Sequence, residues 1–98
     1  MIRFTWDDDK NALNIAKHGV DFADAYRAFG RPMLVALDAR EDYGEDRWIG
    51  IGMLDERVAT IVGSEADDGS VRVISLSKAL SQEQRSYEEY LQDELGAG

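Results

Sequence analysis

The sequence predicts an α+β fold: a small antiparallel sheet of about four to five strands with two N-terminal helices and a C-terminal helix. Two helical patterns follow one another near the N-terminus, and short apolar runs of strand length fill the middle of the chain. Short polar turns join several of these runs, as in hairpins, and a charged segment with helical periodicity comes last.

The first strand is expected at residues 2 to 6, and the first helix from about Asp8 to His18. Aspartates at the helix start can accept hydrogen bonds from free amides of the first turn and suit the positive end of the helix dipole. Gly19 fits the left-handed position that closes a helix. Lys17 and the only histidine therefore lie on the last turn, where the dipole favours positive charge.

A second helix is expected over residues 22 to 29. Asp21 can cap it, and Gly30 with Pro32 would end it. Its apolar residues recur at the spacing of an α-helix with one buried face: Phe22, Ala25, Tyr26 and Phe29.

Apolar runs at residues 33 to 37 and 48 to 54 are predicted to be strands, with a charged and solvated connector at 38 to 46 between them. In the second of these strands, Gly50 and Gly52 fall on the same face as Trp48 and Leu54. Because glycine has no side chain, these two positions leave a gap on that face. A helix or neighbouring backbone is expected to approach it, although a nucleotide or a partner segment would also fit.

A hairpin at residues 55 to 57 is expected to lead into a strand at 58 to 62, and a turn at 64 to 70 into a strand at 71 to 76. With regular alternation, Arg72 shares a face with Ile74 and Leu76. It would then be either a cation in a cleft or a side chain that snorkels outward at an edge.

The last helix is expected to begin near Ser81, with Gln84 at the reciprocal position of a capping box. Its apolar stripe is narrow and consists of Tyr87, Leu91 and Leu95, with Tyr90 beside it.

The composition indicates one domain over residues 1–98 and a cytoplasmic protein. A chain of 98 residues with 44% hydrophobic residues can bury a single core. It contains no cysteine, no apolar run that could span a bilayer, and no cationic start followed by an apolar segment. The formal net charge of −9 predicts that any nucleic-acid contact uses a small cluster of cations, or that the surface suits a basic partner.

An ordered set of residues resembles the BrnT-type toxins of type II toxin–antitoxin pairs. The likeness covers roughly residues 4 to 87 and includes Gly44-Glu45-x-Arg47 and Arg72-Val-Ile-Ser75-x-x-Lys78-Ala79. It begins with Phe4-x-Trp6-Asp7-x-x-Lys10-x-x-x-Asn14-x-x-Lys17-His18-Gly19-Val20-x-Phe22, followed by Ala25 and Phe29.

This resemblance implies a RelE-like fold and a ribonuclease that inhibits translation by cutting RNA without a metal or other cofactor. It also implies a ribbon-helix-helix antitoxin as partner, in a hetero-oligomer that reaches DNA only through the antitoxin. The antitoxin would cover the terminal helix or the sheet edge beside it.

Metal-independent RNA cleavage needs a base for the ribose 2′-hydroxyl, cations for the phosphate and an acid for the leaving oxygen. We assign the phosphate to Arg47, Arg72 and Lys78, with Lys17 added from the first helix, and these cations must converge on one pocket. His18 is the expected proton-transfer group, and Glu65 is a weaker candidate base.

Each of these residues also has a structural explanation. Arg47 can pair with Glu45 or Asp46, Lys78 can complement the acidic last helix, and Lys17 with His18 can complement a helix dipole. Trp6 is a candidate for stacking on RNA bases, but a core position is the more common use of such a residue. The alternative function is a non-catalytic BrnT-like module whose acidic faces hold a basic partner protein.

Overall fold

The computed structural model describes residues 2–40, 42 and 44–96, apart from the side chains of residues 95 and 96. Its elements in chain order are β1 (Phe4–Thr5), α1 (Asp8–His18), a 3₁₀ helix (Phe22–Ala28), β2 (Met33–Leu37), β3 (Trp48–Leu54), β4 (Arg57–Glu65), β5 (Val71–Lys78) and α2 (Ser81–Gly96). Among these residues, no helix is both long and apolar enough to cross a membrane.

The five strands form one sheet in the order β1-β5-β4-β3-β2. Only the short pairing of β1 with β5 is parallel, and the other three pairings are antiparallel. The predicted α+β class with a small, mainly antiparallel sheet is confirmed. The sheet has two edges, and β2 forms the longer one.

The first helix has the predicted bounds and caps. The side chain of Asp7 accepts hydrogen bonds from the backbone amides of Asp9 (2.9 Å) and Lys10 (3.1 Å). Gly19 closes the helix with φ of 72°, a left-handed conformation that glycine adopts without strain. Lys17 and His18 accordingly occupy the last turn.

The second helix is a 3₁₀ helix rather than the expected α-helix. Phe22, Ala25 and Ala28 are buried at steps of three residues, which matches the three residues per turn of a 3₁₀ helix. Tyr26, expected on the buried face, is 58% exposed because the tighter winding rotates it towards solvent.

The pairing of β4 with β5 contains a β-bulge. Val62 pairs with Ser75 and Gly63 pairs with Val73, so β5 has one extra residue at this point. The extra residue reverses the alternation, and both Val73 and Leu76 reach the core. The expectation that Leu76 shares a face with Arg72 is therefore wrong, because Arg72 points to the face opposite the core.

Side chains fill the gap that glycine leaves on one face of β3. A Cβ atom on Gly50 would lie 2.6 Å from Sδ of Met33 and 3.1 Å from the ring of Trp48, and one on Gly63, the partner of Trp48 in β4, would lie 2.8 Å from the same ring. Met33 and Trp48 therefore occupy the space that the glycines leave, and the 3₁₀ helix packs beyond them on the same core. The largest buried side chain of the 3₁₀ helix is that of Phe22.

The start of α2 and the connector before β3 differ from expectation. Glu83, rather than Gln84, reaches back to the helix start and accepts a hydrogen bond from the backbone amide of Leu80 (2.8 Å). In the connector, Asp38 is buried and its carboxylate binds the guanidinium of Arg40. The connector is thus not wholly solvated; its residues Glu41 and Tyr43 lie outside the described part of the chain.

Asn14 joins α1 to the sheet through its side-chain amide. Its Nδ2 donates to the carbonyl oxygens of Leu76 (2.8 Å) and Val20 (3.0 Å), and its Oδ1 accepts from the amide of Leu76 (3.3 Å). Because β1 pairs only with Val71 and Arg72, the edge of β5 beyond it needs another partner. The buried carboxamide of Asn14 supplies that partner.

Replacing Asn14 by alanine should lower the free energy of unfolding by about 1–3 kcal/mol, because backbone groups of Leu76 would lose their partner in a buried place. Urea unfolding followed by circular dichroism measures this change. The control Lys10→Ala, on the exposed side of the same helix, should change stability by less than about 0.5 kcal/mol. Equal effects of the two substitutions would contradict the role of Asn14.

Candidate functional site

Two of the predicted arginines meet on one carboxylate oxygen. Nε of Arg47 donates to Oε1 of Glu45 at 3.3 Å, and a terminal nitrogen of Arg72 donates to the same oxygen. The side chains of Arg47, Glu45 and Arg72 are 21%, 35% and 46% exposed, so this group opens to solvent. We call Arg47 and Arg72 the arginine pair, and Glu45 the bridging glutamate.

Strand register explains why these residues meet. Trp48 pairs with Gly63, which places Arg47 beside Ser64 of β4. Ser64 pairs on its other side with Arg72 of β5, so only β4 lies between the two arginines. Trp48 and Val73 belong to the core, so their neighbours Arg47 and Arg72 point to the opposite face. The two guanidiniums therefore extend from the same face at the same end of the sheet.

The surroundings of the arginine pair contain further carboxylates. Glu65, the candidate base, ends β4 and lines a hollow of about 350 Å³ together with Arg47, Asp46 and Trp48. Its register partner is Val71 on the core face, so Glu65 lies beside the arginine pair rather than between its two guanidiniums. Glu45 takes that position.

His18 and Lys78 lie elsewhere, in a groove of about 540 Å³ between the end of α1, the hairpin of β3 and β4, and the end of β5. Lys78 pairs with Ala59 on the core face, opposite to the face of Arg72. Lys78 follows Arg72 by six positions in β5, which corresponds to about 20 Å along a strand. Lys17 is exposed on the same last turn of α1 as His18.

The groove does not concentrate positive charge. Its three cationic side chains are accompanied by three acidic ones: Arg27, Arg57 and Lys78, with Asp24, Asp55 and Glu56. The guanidinium of Arg27 binds both carboxylate oxygens of Asp55 at 2.9 Å and one oxygen of Asp24 at 2.8 Å. Hydrogen bonds to Asp55 and then to Asp24 raise the pKa of Arg27 above its ordinary value, so this cation already has acidic partners.

The expected convergence of all the predicted cations is therefore wrong. Arg47 and Arg72 come together, whereas His18 and Lys78 line a different groove. Arg72 and Lys78 lie near opposite ends of β5, and the bulge between them turns their side chains to opposite faces of the sheet. The chemical roles of these residues remain predictions. Within the described residues, no three His, Asp or Glu side chains cluster in a way that could hold a metal ion.

Trp6 packs against the core while lining an open hollow. The hollow measures about 610 Å³ and its other large side chains are aromatic or aliphatic: Ile2, Phe4, Tyr26 and Phe29. Phe4 and Phe29 meet edge to face at 4.9 Å between ring centroids. Trp6 thus lies on the core face, away from the arginine pair, and stacking on RNA bases stays a prediction.

Sequence reasoning missed the position of Glu45, which it treated only as a possible ion-pair partner of Arg47. A signal was present, since Glu45 lies two residues before Arg47 in one short motif. What the sequence did not contain was the contact of Glu45 with Arg72, 27 residues further along the chain.

Two comparisons with known proteins find a match for this chain. A family model described as "Ribonuclease toxin, BrnT, of type II toxin-antitoxin system" matches residues 6–83. The chain belongs to the BrnT family of ribonuclease toxins. The crystal structure of the Brucella abortus ribonuclease toxin BrnT is similar to this fold, with a TM-score of 0.63 and 25% sequence identity over 83% of this chain and 100% of that chain. A search among curated protein sequences finds no match.

Membership of the BrnT family also assigns a kind of partner. Type II systems consist of a toxin and an antitoxin, so this BrnT-family chain is the toxin half of such a pair. Both arginines and the bridging glutamate lie inside the matched region.

Proposed function

We propose that this protein is a metal-independent endoribonuclease that inhibits translation in the cytoplasm by cutting RNA, and that a ribbon-helix-helix antitoxin silences it. The observation that supports this proposal is the convergence of Arg47 and Arg72 on a single oxygen atom. Two guanidiniums that share one anionic oxygen are arranged as they would be around a phosphate oxygen.

The arginine pair suits the charge that develops during RNA cleavage. When the ribose 2′-oxygen attacks the neighbouring phosphorus, negative charge gathers on the phosphate oxygens, and fixed donors stabilise it. Arg47 and Arg72 would bind those oxygens, and the first product would be a 2′,3′-cyclic phosphate. The two guanidiniums themselves would supply the positive charge that a metal ion supplies in other nucleases.

The groove at the other end of β5 has a secondary place in this proposal. A phosphate bound to Arg47 and Arg72 cannot also contact His18 or Lys78, because about 20 Å of strand separates them. Lys17, His18 and Lys78 would act only on an RNA chain long enough to reach both places.

The alternative is a non-catalytic BrnT-like module that holds a basic partner protein. Its support is the acidity of the chain, with a net charge of −9, together with the carboxylates around the arginine pair. Asp46 and Glu65 line the hollow beside Arg47, and Glu45 occupies the space between the guanidiniums. A cationic segment would meet favourable charge there, whereas RNA would not.

The antitoxin would bind along β2, the long edge of the sheet. The five residues of this strand are all apolar, and Val35 and Leu37 are 54% and 69% exposed. An edge strand without charged residues is open to pairing with an extended segment of another chain. DNA contact would come only through the antitoxin.

The acidic side chains of α2 favour a basic antitoxin segment, rather than a second copy of the toxin, as the partner of β2. α2 contacts β2 and exposes several acidic side chains against one arginine, Arg85: Glu88, Glu89, Asp93 and Glu94. Antiparallel pairing of two β2 strands would place two acidic α2 helices on the same side of the joined sheet, where they repel each other. A basic segment gains from the same charges, so we expect a toxin–antitoxin hetero-oligomer.

Arg47→Gln and Arg72→Gln should each slow cleavage of a mixed-sequence RNA by about 10²-fold or more, since each removes a donor to the charged phosphate. Initial rates on labelled RNA measure the effect. Arg85→Gln removes the same charge from exposed α2 and should leave the rate within about twofold. If both site variants cut as fast as the parent, the proposed site is wrong, and a parent that leaves RNA intact supports the binding module.

His18→Ala should leave the rate between pH 5 and pH 8 within about twofold of the parent, because His18 lies in the groove, away from the arginine pair. The pH–rate profile of the two proteins measures this. Loss of one limb of the profile in His18→Ala would return the proton transfer to His18 and contradict a reaction centred on Arg47 and Arg72.

Val35→Lys and Leu37→Lys should weaken binding of the ribbon-helix-helix protein encoded beside the toxin, because each puts a cation where the basic segment docks. Titration calorimetry of the purified pair should show at least about a tenfold loss of affinity. Leu13→Lys changes an equally exposed leucine on α1 and is the matched control. An unchanged affinity, or loss of a toxin dimer instead, would contradict this docking surface.

A further inference from the structure

We propose that the bridging glutamate is an autoinhibitory residue of this protein. The carboxylate of Glu45 competes with the RNA phosphate for the arginine pair, and a phosphate oxygen binds both guanidiniums only after Glu45 has left them. This inference rests on the proposed ribonuclease function and deepens it, because it concerns how the same site controls the entry of its substrate.

The carboxylate of Glu45 presents to the two arginines what a phosphate would present. Its Oε1 accepts a hydrogen bond from Nε of Arg47 at 3.3 Å and another from a terminal nitrogen of Arg72. Carboxylate and phosphate oxygens are both anionic acceptors that guanidiniums bind in the same forked geometry. A phosphate oxygen that binds both guanidiniums at this point would overlap Oε1 of Glu45, so the two anions exclude each other.

The side chain of Arg72 depends on Glu45 most directly. Among the described residues, Glu45 is its only hydrogen-bond and ion-pair partner. Because this side chain is also 46% exposed, its guanidinium is open to a phosphate from solvent once Glu45 has left. Arg47 has to give up only its hydrogen bond to Glu45, and its other contacts can remain.

Glu45 can leave the arginines without any change in the sheet. It lies before the start of β3, outside the strands, and its side chain is partly exposed. In the described part of the chain, its carboxylate has no partner other than the two arginines. Rotation of this side chain into solvent therefore breaks these two contacts alone, while strand register keeps Arg47 and Arg72 at the same end of the sheet.

The competition lowers RNA affinity without abolishing it. Ion pairs between partly exposed side chains contribute little to stability in water, so a ligand that brings several charges can displace Glu45. In the absence of RNA, the same contact keeps the two neighbouring guanidiniums from repelling each other. We expect the carboxylate to reduce the affinity for RNA by about fivefold or more, the amount that two such contacts can supply.

The other carboxylates at this end of the sheet do not compete in the same way. Asp46 and Glu65 line the hollow beside Arg47. Within the described residues, neither has a hydrogen bond or ion pair with Arg47 or Arg72. Asp46 therefore supplies a matched control, because it has the same charge and is the next residue along the chain.

Glu45→Gln tests the competition, because glutamine keeps the size of the side chain but removes the charge that binds the guanidiniums. Affinity for a mixed-sequence RNA with 2′-O-methyl groups, which has no 2′-hydroxyl for cleavage, should rise about fivefold or more at a fixed salt concentration. Fluorescence anisotropy of the labelled RNA measures this affinity. On unmodified RNA, kcat/KM should rise by a similar factor, since the free protein no longer has to release the carboxylate.

Two comparisons make the test specific. Asp46→Asn should leave both quantities within about twofold of the parent, since Asp46 contacts neither arginine. In a protein that already has Arg72→Gln, adding Glu45→Gln should raise RNA affinity by a smaller factor than in the parent, because the contact with Arg72 is no longer there to be released. Thermal melting confirms that each variant is folded.

The outcomes separate this inference from the proposed function. If the parent cuts RNA and Glu45→Gln binds RNA no more tightly, or has a lower kcat/KM, the autoinhibitory role is wrong and the ribonuclease remains. An equal gain of affinity in Asp46→Asn, or an undiminished gain in the Arg72→Gln protein, would reveal a general effect of charge and would also overturn the inference. A parent that leaves RNA intact overturns the proposed function, and this inference with it.

Discussion

The hydrogen bonds between the carboxamide of Asn14 and the backbone of Leu76 are the constraint on which the arrangement of this protein depends. β1 covers only the start of β5, and the rest of that edge would lack partners in a buried place. Asn14 fills this gap from α1 and also holds the carbonyl of Val20. The helix, the turn after it and the central strands are thereby joined at one side chain.

A neighbouring asparagine extends the same connection. The side chain of Asn11 donates to Asp21 and accepts from the amide of Phe22, both at 2.9 Å. Hydrogen bonds from the amide of Ala23 and then from Asn11 lower the pKa of Asp21, which favours the ionised cap. The start of the 3₁₀ helix is therefore determined by α1, and through the 3₁₀ helix so is the position of Phe22 in the core.

The bulge in β5 has the largest consequence for function. Without it Arg72 would point to the same face as Leu76, into the core; with it Arg72 lies on the open face beside Arg47. A protein with a net charge of −9 can hold two guanidiniums this close because a carboxylate lies between them. Glu45 thus serves as a counter-ion to both guanidiniums.

The sequence by itself determined the features that depend on near neighbours, and the tertiary structure decided those that depend on pairing. The caps at Asp7 and Gly19, the strand runs and the family motifs are local patterns, and each was predictable. The 3₁₀ winding, the bulge, the cap formed by Glu83 and the separation of Lys78 from Arg72 were not. Helical caps and alternation act over a few residues, whereas the face and end of the sheet that a side chain reaches are set by register between strands distant in sequence.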